Sequence, residues 1–215
     1  MTAGAMVEHP LLPVLIAAAQ GRFPPTDGAV EVVPPDDAGA WAVVEFTAHA
    51  YVLGDVDAAD LAERGADGFG RAAHPDLLRY LAGPQGWIGC HDAVLVRRAG
   101  PTGWDPLPVV GDGDDHPRVQ RARRHRRRVT VRGDGAGVSV VGSGLAGRTE
   151  ISVELYDRSQ RGAGAGRRLI LGTLAAMEPG EWCFAQVSPG NTASLRAFLA
   201  CGFTPVGAEV LIHPV

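Results

Sequence analysis

The sequence predicts an α/β fold, with helices packed on a sheet and a smaller α+β region in front of it. Three observations predict it. From residue 129 onward, strand-like and helix-like stretches follow one another in the order β-β-β-α-β-α-β. The third of those strands alternates, with Ile151, Val153 and Leu155 on one face and Glu150, Ser152 and Glu154 on the other. An apolar helix, Arg167 to Met177, follows directly on a run of glycines.

In chain order, Pro10 to Gln20 reads as a short helix. Val30–Val33 and Ala42–Leu53 read as strands, the second rich in β-branched and aromatic residues. Asp57 to Glu63 has the Ala and Leu content of a helix, with Asp57 as its cap. Pro75 opens another helix, which stops before Gly83 and Pro84. Ile88–Val96 resumes strand character. Gly, Pro and Asp then dominate from Ala99 to Pro117, which predicts a long connecting loop. His116-Pro117 begins an Arg-studded helix to about Arg126. Strands are expected at Val129–Arg132, Gly137–Gly142, Glu150–Tyr156 and Trp182–Val187. A helix is expected at Thr192–Ala200 and a strand pair across Phe203–Ile212.

The 215 residues suffice for one large domain or two small ones. With 46% hydrophobic and 20% charged residues, disordered and coiled-coil classes are excluded. The longest apolar run, Leu11–Ala19 with Pro13 inside it, is far short of the ~20 residues that span a bilayer. No basic residue precedes it, so a secretion leader is not expected either, and the expected location is the cytoplasm. Cys90, Cys183 and Cys201 are widely spaced and suggest neither a disulfide framework nor a zinc site. All 20 basic residues are arginine, which excludes lysine-dependent mechanisms. The charge is uneven: residues 1–105 carry 14 acids and 6 Arg, net −8, and residues 106–215 carry 10 acids and 14 Arg, net +4.

Two glycine motifs compete for phosphate chemistry. Gly142-Ser143-Gly144-Leu145-Ala146-Gly147 is a literal G-x-G-x-x-G after a strand. A dinucleotide site needs a helix that starts inside the motif, and here the next strand leaves no room for one. A glycine-rich hairpin turn is expected instead. The second motif, Gln160-Arg161-Gly162-Ala163-Gly164-Ala165-Gly166-Arg167-Arg168-Leu169, lies after a strand and before a helix. Its glycines let backbone N–H groups approach phosphate oxygens, and the helix N-terminus adds partial positive charge. Arg161, Arg167 and Arg168 add full charges. The Lys-Ser/Thr ending of an ATP-binding loop is absent.

Arg161-x-x-Gly164-x-Gly166 after an alternating strand resembles the acetyl-CoA pyrophosphate loop of the GNAT N-acetyltransferase superfamily. Downstream, Val187-Ser188-Pro189-Gly190-Asn191-Thr192-Ala193-Ser194-Leu195-Arg196-Ala197-Phe198 and then Cys201-Gly202-Phe203 are similar to the family's strand–Asn–helix–Gly-Phe segment. The strong match runs from Glu150 to about Ile212, and a weaker one reaches back to about residue 90. The resemblance implies a GNAT-like domain at 90–215, with a mixed, mostly antiparallel sheet flanked by helices. Residues 1–89 would be an additional N-terminal α+β region that frames the acceptor pocket, in an actinobacterial-type member.

The resemblance also implies roles. The backbone at Leu155 and Tyr156 would pair with the pantetheine arm, and the amides of Gly162, Ala163, Gly164, Ala165 and Gly166, with Arg161 and Arg167, would hold the pyrophosphate. Asn191 would bond the pantetheine chain, with Ser194 beside it, and Asn191 is equally a helix cap. Glu150, eleven residues before Arg161, stands where many members carry their carboxylate base, and Glu154 lies four further along on the same face. Phe198 stands where many members have a tyrosine that reprotonates the leaving thiolate.

The expected function is therefore acetyl transfer from acetyl-CoA to a primary amine, with no metal. The acidic first half favours a cationic acceptor by long-range attraction. A non-catalytic acyl-CoA-binding or sensing protein is the alternative that Phe198 raises. A dinucleotide-binding oxidoreductase built on Gly142–Gly147 is a further one. Cys90-His91-Asp92 does not suit a nucleophile, because adjacent strand residues face opposite ways. The arginines between Arg118 and Arg128 surround their helix without interleaved aromatics, which argues against nucleic acid and for a solvated face. A homodimer is left open.

Overall fold

The computed structural model describes residues 8–36, 39–111, 116–157, 159 and 164–215. Nine strands form one sheet in the order β1-β3-β2-β9-β4-β8-β7-β6-β5. In chain order the elements are α1 (Leu11–Ala19), β1 (Val30–Val33), β2 (Trp41–Phe46), β3 (His49–Leu53), α2 (Ala58–Glu63), α3 (Pro75–Ala82), β4 (Trp87–Arg98), α4 (Pro117–His125), β5 (Arg127–Asp134), β6 (Gly137–Ser143), β7 (Thr149–Leu155), α5 (Ala165–Ala175), β8 (Trp182–Val187), α6 (Thr192–Ala200) and β9 (Thr204–His213). The β1–β3 and β7–β8 pairings are parallel and all others antiparallel. The sheet is thus mixed and mostly antiparallel.

Side-chain alternation assigns the helices to its two faces. Leu95, Ile151, Cys183 and Ala185 pack with Ile170 and Leu174 of α5 and Phe198 of α6. Their strand neighbours Val94, Val96 and Phe184 point the other way, onto Leu11 and Leu15 of α1. Helix α4 lies on the α1 face, where Val119 and Ala122 cover Val138 and Val140 of β6. Helices α2 and α3 cover Val43, Val52, Val210 and Ile212 on the α5–α6 face.

Local chemistry sets the helix starts. Asp57 accepts the Ala59 N–H at 2.8 Å, and Pro75 occupies the first turn of α3. His116 Nδ1 accepts from Arg118 N at 3.1 Å, with Pro117 opening α4. The helix α5 begins after Gly164, which holds a left-handed φ of 85°.

Three expectations are corrected. Ala42–Leu53 is two strands, β2 and β3, folded on each other with Phe46 opposite His49. The turn uses Ala48 at φ 55°, with no glycine or proline to announce it. Phe203–Ile212 is conversely a single strand, β9. Finally, the Arg-studded segment is not a uniformly solvated face, because Arg126 is almost fully buried.

Between β6 and β7, Gly142–Gly147 forms a turn closed by a short 3-10 segment, Leu145–Gly147. No α-helix begins there, so the geometry a dinucleotide fingerprint requires is absent. Gly144 is small for another reason: a Cβ there would fall inside the Glu150 carboxylate. The acidic N-terminal stretch and the basic C-terminal one interleave in the same sheet, where β2 pairs with β9 and β4 lies between β9 and β8.

Candidate functional site

Strands β7 and β8 are parallel neighbours, yet a single residue pair is in register between them, Glu150 with Phe184. Beyond that point the strands part. β6 continues to pair with β7 as far as Gly137–Leu155, and β4 continues with β8 as far as Ala93–Val187. The β8-facing backbone edge of β7 after Glu150 therefore has no ladder partner on β8. The gap opens into a cleft of about 640 Å³.

The cleft is lined by Val153, Glu154 and Leu155 of β7, by Gly164, Gly166 and Arg167 at the start of α5, and by Asn191, Ser194 and Phe198 around α6. The first-turn amides of α5 have no acceptors within the helix, and they carry the positive end of its dipole. Gly164 needs its lack of Cβ for its positive φ. Gly166 does not, and a Cβ there would meet nothing within 4 Å among the described residues. Packing among the described residues does not require a glycine at 166. Arg161, Gly162 and Ala163 lie outside the described residues.

Asn191 caps α6, its Oδ1 accepting the Ser194 N–H at 3.3 Å. Only the carbonyl oxygen is used in the cap, so the amide NH₂ can donate elsewhere. Phe198 is 3% exposed and meets Phe203 edge-on, with ring centroids 4.9 Å apart. Tyr156, at the end of β7, donates its N–H to Ala136 O at 3.0 Å, and its ring meets that of His116.

The two glutamates of β7 stand in different surroundings. Glu150 is 5% exposed and held on both oxygens: Arg126 Nε donates at 2.8 Å and Arg148 Nε at 2.9 Å, joined by the Leu145 N–H at 3.2 Å. Burial alone would raise its pKa, but the two guanidiniums outweigh burial and hold it below the usual carboxylate range. A carboxylate held this way is a poor proton acceptor. Glu154 lines the cleft, with 39% of its side chain exposed and a 2.9 Å bond from Arg118 Nε.

Sequence reasoning missed the network around Glu150. The fully buried Arg148 runs over the Phe184 ring and donates to Glu209 on β9 at 2.6 Å. Arg126 leaves the end of α4 and donates to Ser152 Oγ at 3.1 Å and Gln186 Oε1 at 3.4 Å. It therefore bridges β7 and β8 where they diverge. Glu209, with one arginine instead of two, is raised by burial. A pattern search finds none of this, since the partners are 61 and 24 residues from the groups they bind.

No family model and no curated protein matches the sequence. Solved structures that resemble the chain include a GCN5-related N-acetyltransferase from Kribbella flavida. It is 18% identical with a TM-score of 0.43, and the match covers 67% of this chain and 65% of that one. Another is an acetyltransferase from the GNAT family from Colwellia psychrerythraea, 12% identical with a TM-score of 0.39, covering 60% and 57%. Both are acetyltransferases. The chain spans less than two thirds of either.

Asp92 of β4 lies opposite Glu209 of β9. It is half-buried, desolvation raises its pKa against the pull of Arg121 and His91, and its Oδ1 is buried without a hydrogen-bond partner. Among the described residues no group of three His, Cys, Asp or Glu is placed to hold a metal ion. No helix among them is long and apolar enough to cross a membrane.

Proposed function

We propose that this chain binds acetyl-CoA in the β7–β8 cleft and transfers its acetyl group to a primary amine. The observation that carries this reading is the open edge of β7, which ends at a helix N-terminus with a glycine that packing does not require. An extended amide chain can add to that edge as a further strand would. Its diphosphate then meets the first-turn amides of α5, with Arg167 beside them. Arg161, Gly162 and Ala163 complete the loop in this proposal, and Asn191 and Ser194 bond the pantetheine arm.

An alkyl ammonium with a pKa near ~10 must lose a proton before it attacks. We assign that proton to Glu154, directly or through a water, because it combines solvent contact with a place in the cleft. The neutral nitrogen attacks the thioester carbonyl, the carbon–sulfur bond breaks, coenzyme A leaves as its thiolate, and the acylated nitrogen gives up its second proton to solvent. Phe198 has no proton to give, so solvent protonates the thiolate. We assign Glu150 to holding the point where the strands diverge.

Titration calorimetry with coenzyme A tests the binding half, and release of free thiol from acetyl-CoA in the presence of an amine panel tests the transfer half. Saturable heat and amine-dependent thiol release are expected. Binding without release would favour the second reading, a non-catalytic acyl-CoA-binding protein, which Phe198 supports. No heat at millimolar coenzyme A would overturn both.

A further inference from the structure

A second cavity, of about 560 Å³, lies on the other side of α4. Three rings form one wall: Trp87 is near-parallel to His125 with centroids 6.0 Å apart, and His213 lies 5.3 Å from Trp87 and 5.1 Å from His125. His125 Nδ1 and His213 Nε2 are 3.2 Å apart, so these two nitrogens share one proton. Burial, and then His213, pull the His125 pKa down. That wall is therefore planar and polarisable.

The α4 side of the cavity also carries cationic groups. Arg121 and Arg124 are three residues apart and so share one face of α4. Arg118 of the helix and Arg126 just after it are engaged, with Glu154 and Glu150 respectively. Neither Arg121 nor Arg124 has a carboxylate within ion-pair distance among the described residues, although Arg121 feels the charge of Asp92. Two exposed guanidiniums beside a stacked aromatic wall suit a planar group that carries a carboxylate.

Both cavities are lined from α4. Arg118 lines the coenzyme cleft, and Arg121, one turn on, lines the second cavity. We propose that the second cavity is the acceptor site, and that it takes an amine whose far end is a planar ring bearing a carboxylate. The ring lies against Trp87, the carboxylate meets Arg121 and Arg124, and the amine points along α4 toward Glu154. This deepens, and rests on, the acetyl-transfer reading. The net acidic charge of residues 1–105 would draw cations to the molecule as a whole, but charges within a few ångströms decide what binds.

Three probes test it: 4-(aminomethyl)benzoate, its uncharged-tail counterpart 4-methylbenzylamine, and 4-methylbenzoate, which has no amine to react. We expect 4-methylbenzoate to bind without coenzyme, at least tenfold more weakly after Arg121→Ala with Arg124→Ala. We expect 4-(aminomethyl)benzoate to have a KM at least tenfold below that of 4-methylbenzylamine. Unchanged coenzyme A affinity in the double variant shows that it is folded. If coenzyme binds and 4-methylbenzylamine is acetylated as well as the carboxylate, the acceptor assignment fails and the transferase reading stands. If 4-methylbenzoate binds through the arginines while coenzyme A does not bind, the transferase reading fails and the anion site stands. Binding of 4-methylbenzoate that ignores the arginine substitutions overturns the site itself.

Discussion

Glu150 and Glu154 sit four residues apart on one strand face, and the sequence favours Glu150 as the base by its spacing from Arg161. Burial separates them. Glu150→Gln removes the charge that compensates two buried guanidiniums, so a loss of about 3–5 kcal/mol is expected in denaturant unfolding. The pH dependence has a definite sign. Because the folded Glu150 titrates below its unfolded value, its stabilisation is complete above the ordinary glutamate range and is lost as pH falls through the lowered value. The variant should lose that acid-side slope. Glu154→Gln should instead leave stability within about 1 kcal/mol, as befits a solvent-exposed pair. It should lower kcat/KM by roughly 10²–10⁴-fold, read as amine-dependent thiol release from acetyl-CoA. Asp92 shifts the opposite way. Its raised pKa means that the folded chain binds that proton more tightly, so stability falls as pH rises from the unfolded aspartate value to the folded one. Asp92→Asn should raise the thermal midpoint relative to wild type at neutral pH, and not below about pH 4.

At the scale of elements, the pieces legible in the sequence are those whose signal is local. The alternation of β7, the proline starts of α3 and α4, and the Asn191 cap of α6 all depend on residues a few positions apart. The β2–β3 turn was not legible, because its left-handed residue is Ala48 rather than glycine. Gly207 misleads in the other direction. It suggests a break within the last strand, yet it sits inside β9, where a Cβ would collide with the Glu45 carbonyl oxygen of the paired strand. The glycine at 207 therefore serves close packing rather than a turn. Gly166 separates packing from binding more sharply. Gly166→Asp places a carboxylate in the first turn of α5, which the helix dipole favours, and in open space. The variant should fold with unchanged or slightly raised stability. A carboxylate facing a diphosphate should nonetheless weaken coenzyme A binding at least tenfold by calorimetry. Equal affinity in the two proteins would mean that the start of α5 does not hold the phosphates.

Over the whole molecule, strand order is what the sequence conceals. Nothing local indicates that β4, from before the long loop, inserts between β8 and β9, or that β2 pairs with the last strand. The physical reason is that antiparallel pairing across such separations is chosen by burial on both faces, a global quantity. One consequence concerns the composition shift between Ala99 and Pro117, which the sequence presents as a long connecting loop. Leu107, within that stretch, is buried and donates its N–H to Gly172 O in α5 at 3.0 Å. Arg132 Nη1 on β5 donates to Leu107 O at 2.8 Å. The buried Arg148, just before β7, reaches Glu209 on β9, whose other edge carries β2. Removing residues 1–82 would uncover Val210 and Ile212 on one face of β9 and Val94, Val96 and Phe184 on the other face of the sheet, and would leave β9 an open edge. The full chain should therefore unfold in a single transition, with tryptophan fluorescence and far-UV circular dichroism tracing the same curve. The truncated chain should fail to give a cooperative melt. Two separated transitions in the full chain, or a cooperative melt from residues 83–215 alone, would show that the first three strands are an appendage rather than part of the same folding unit.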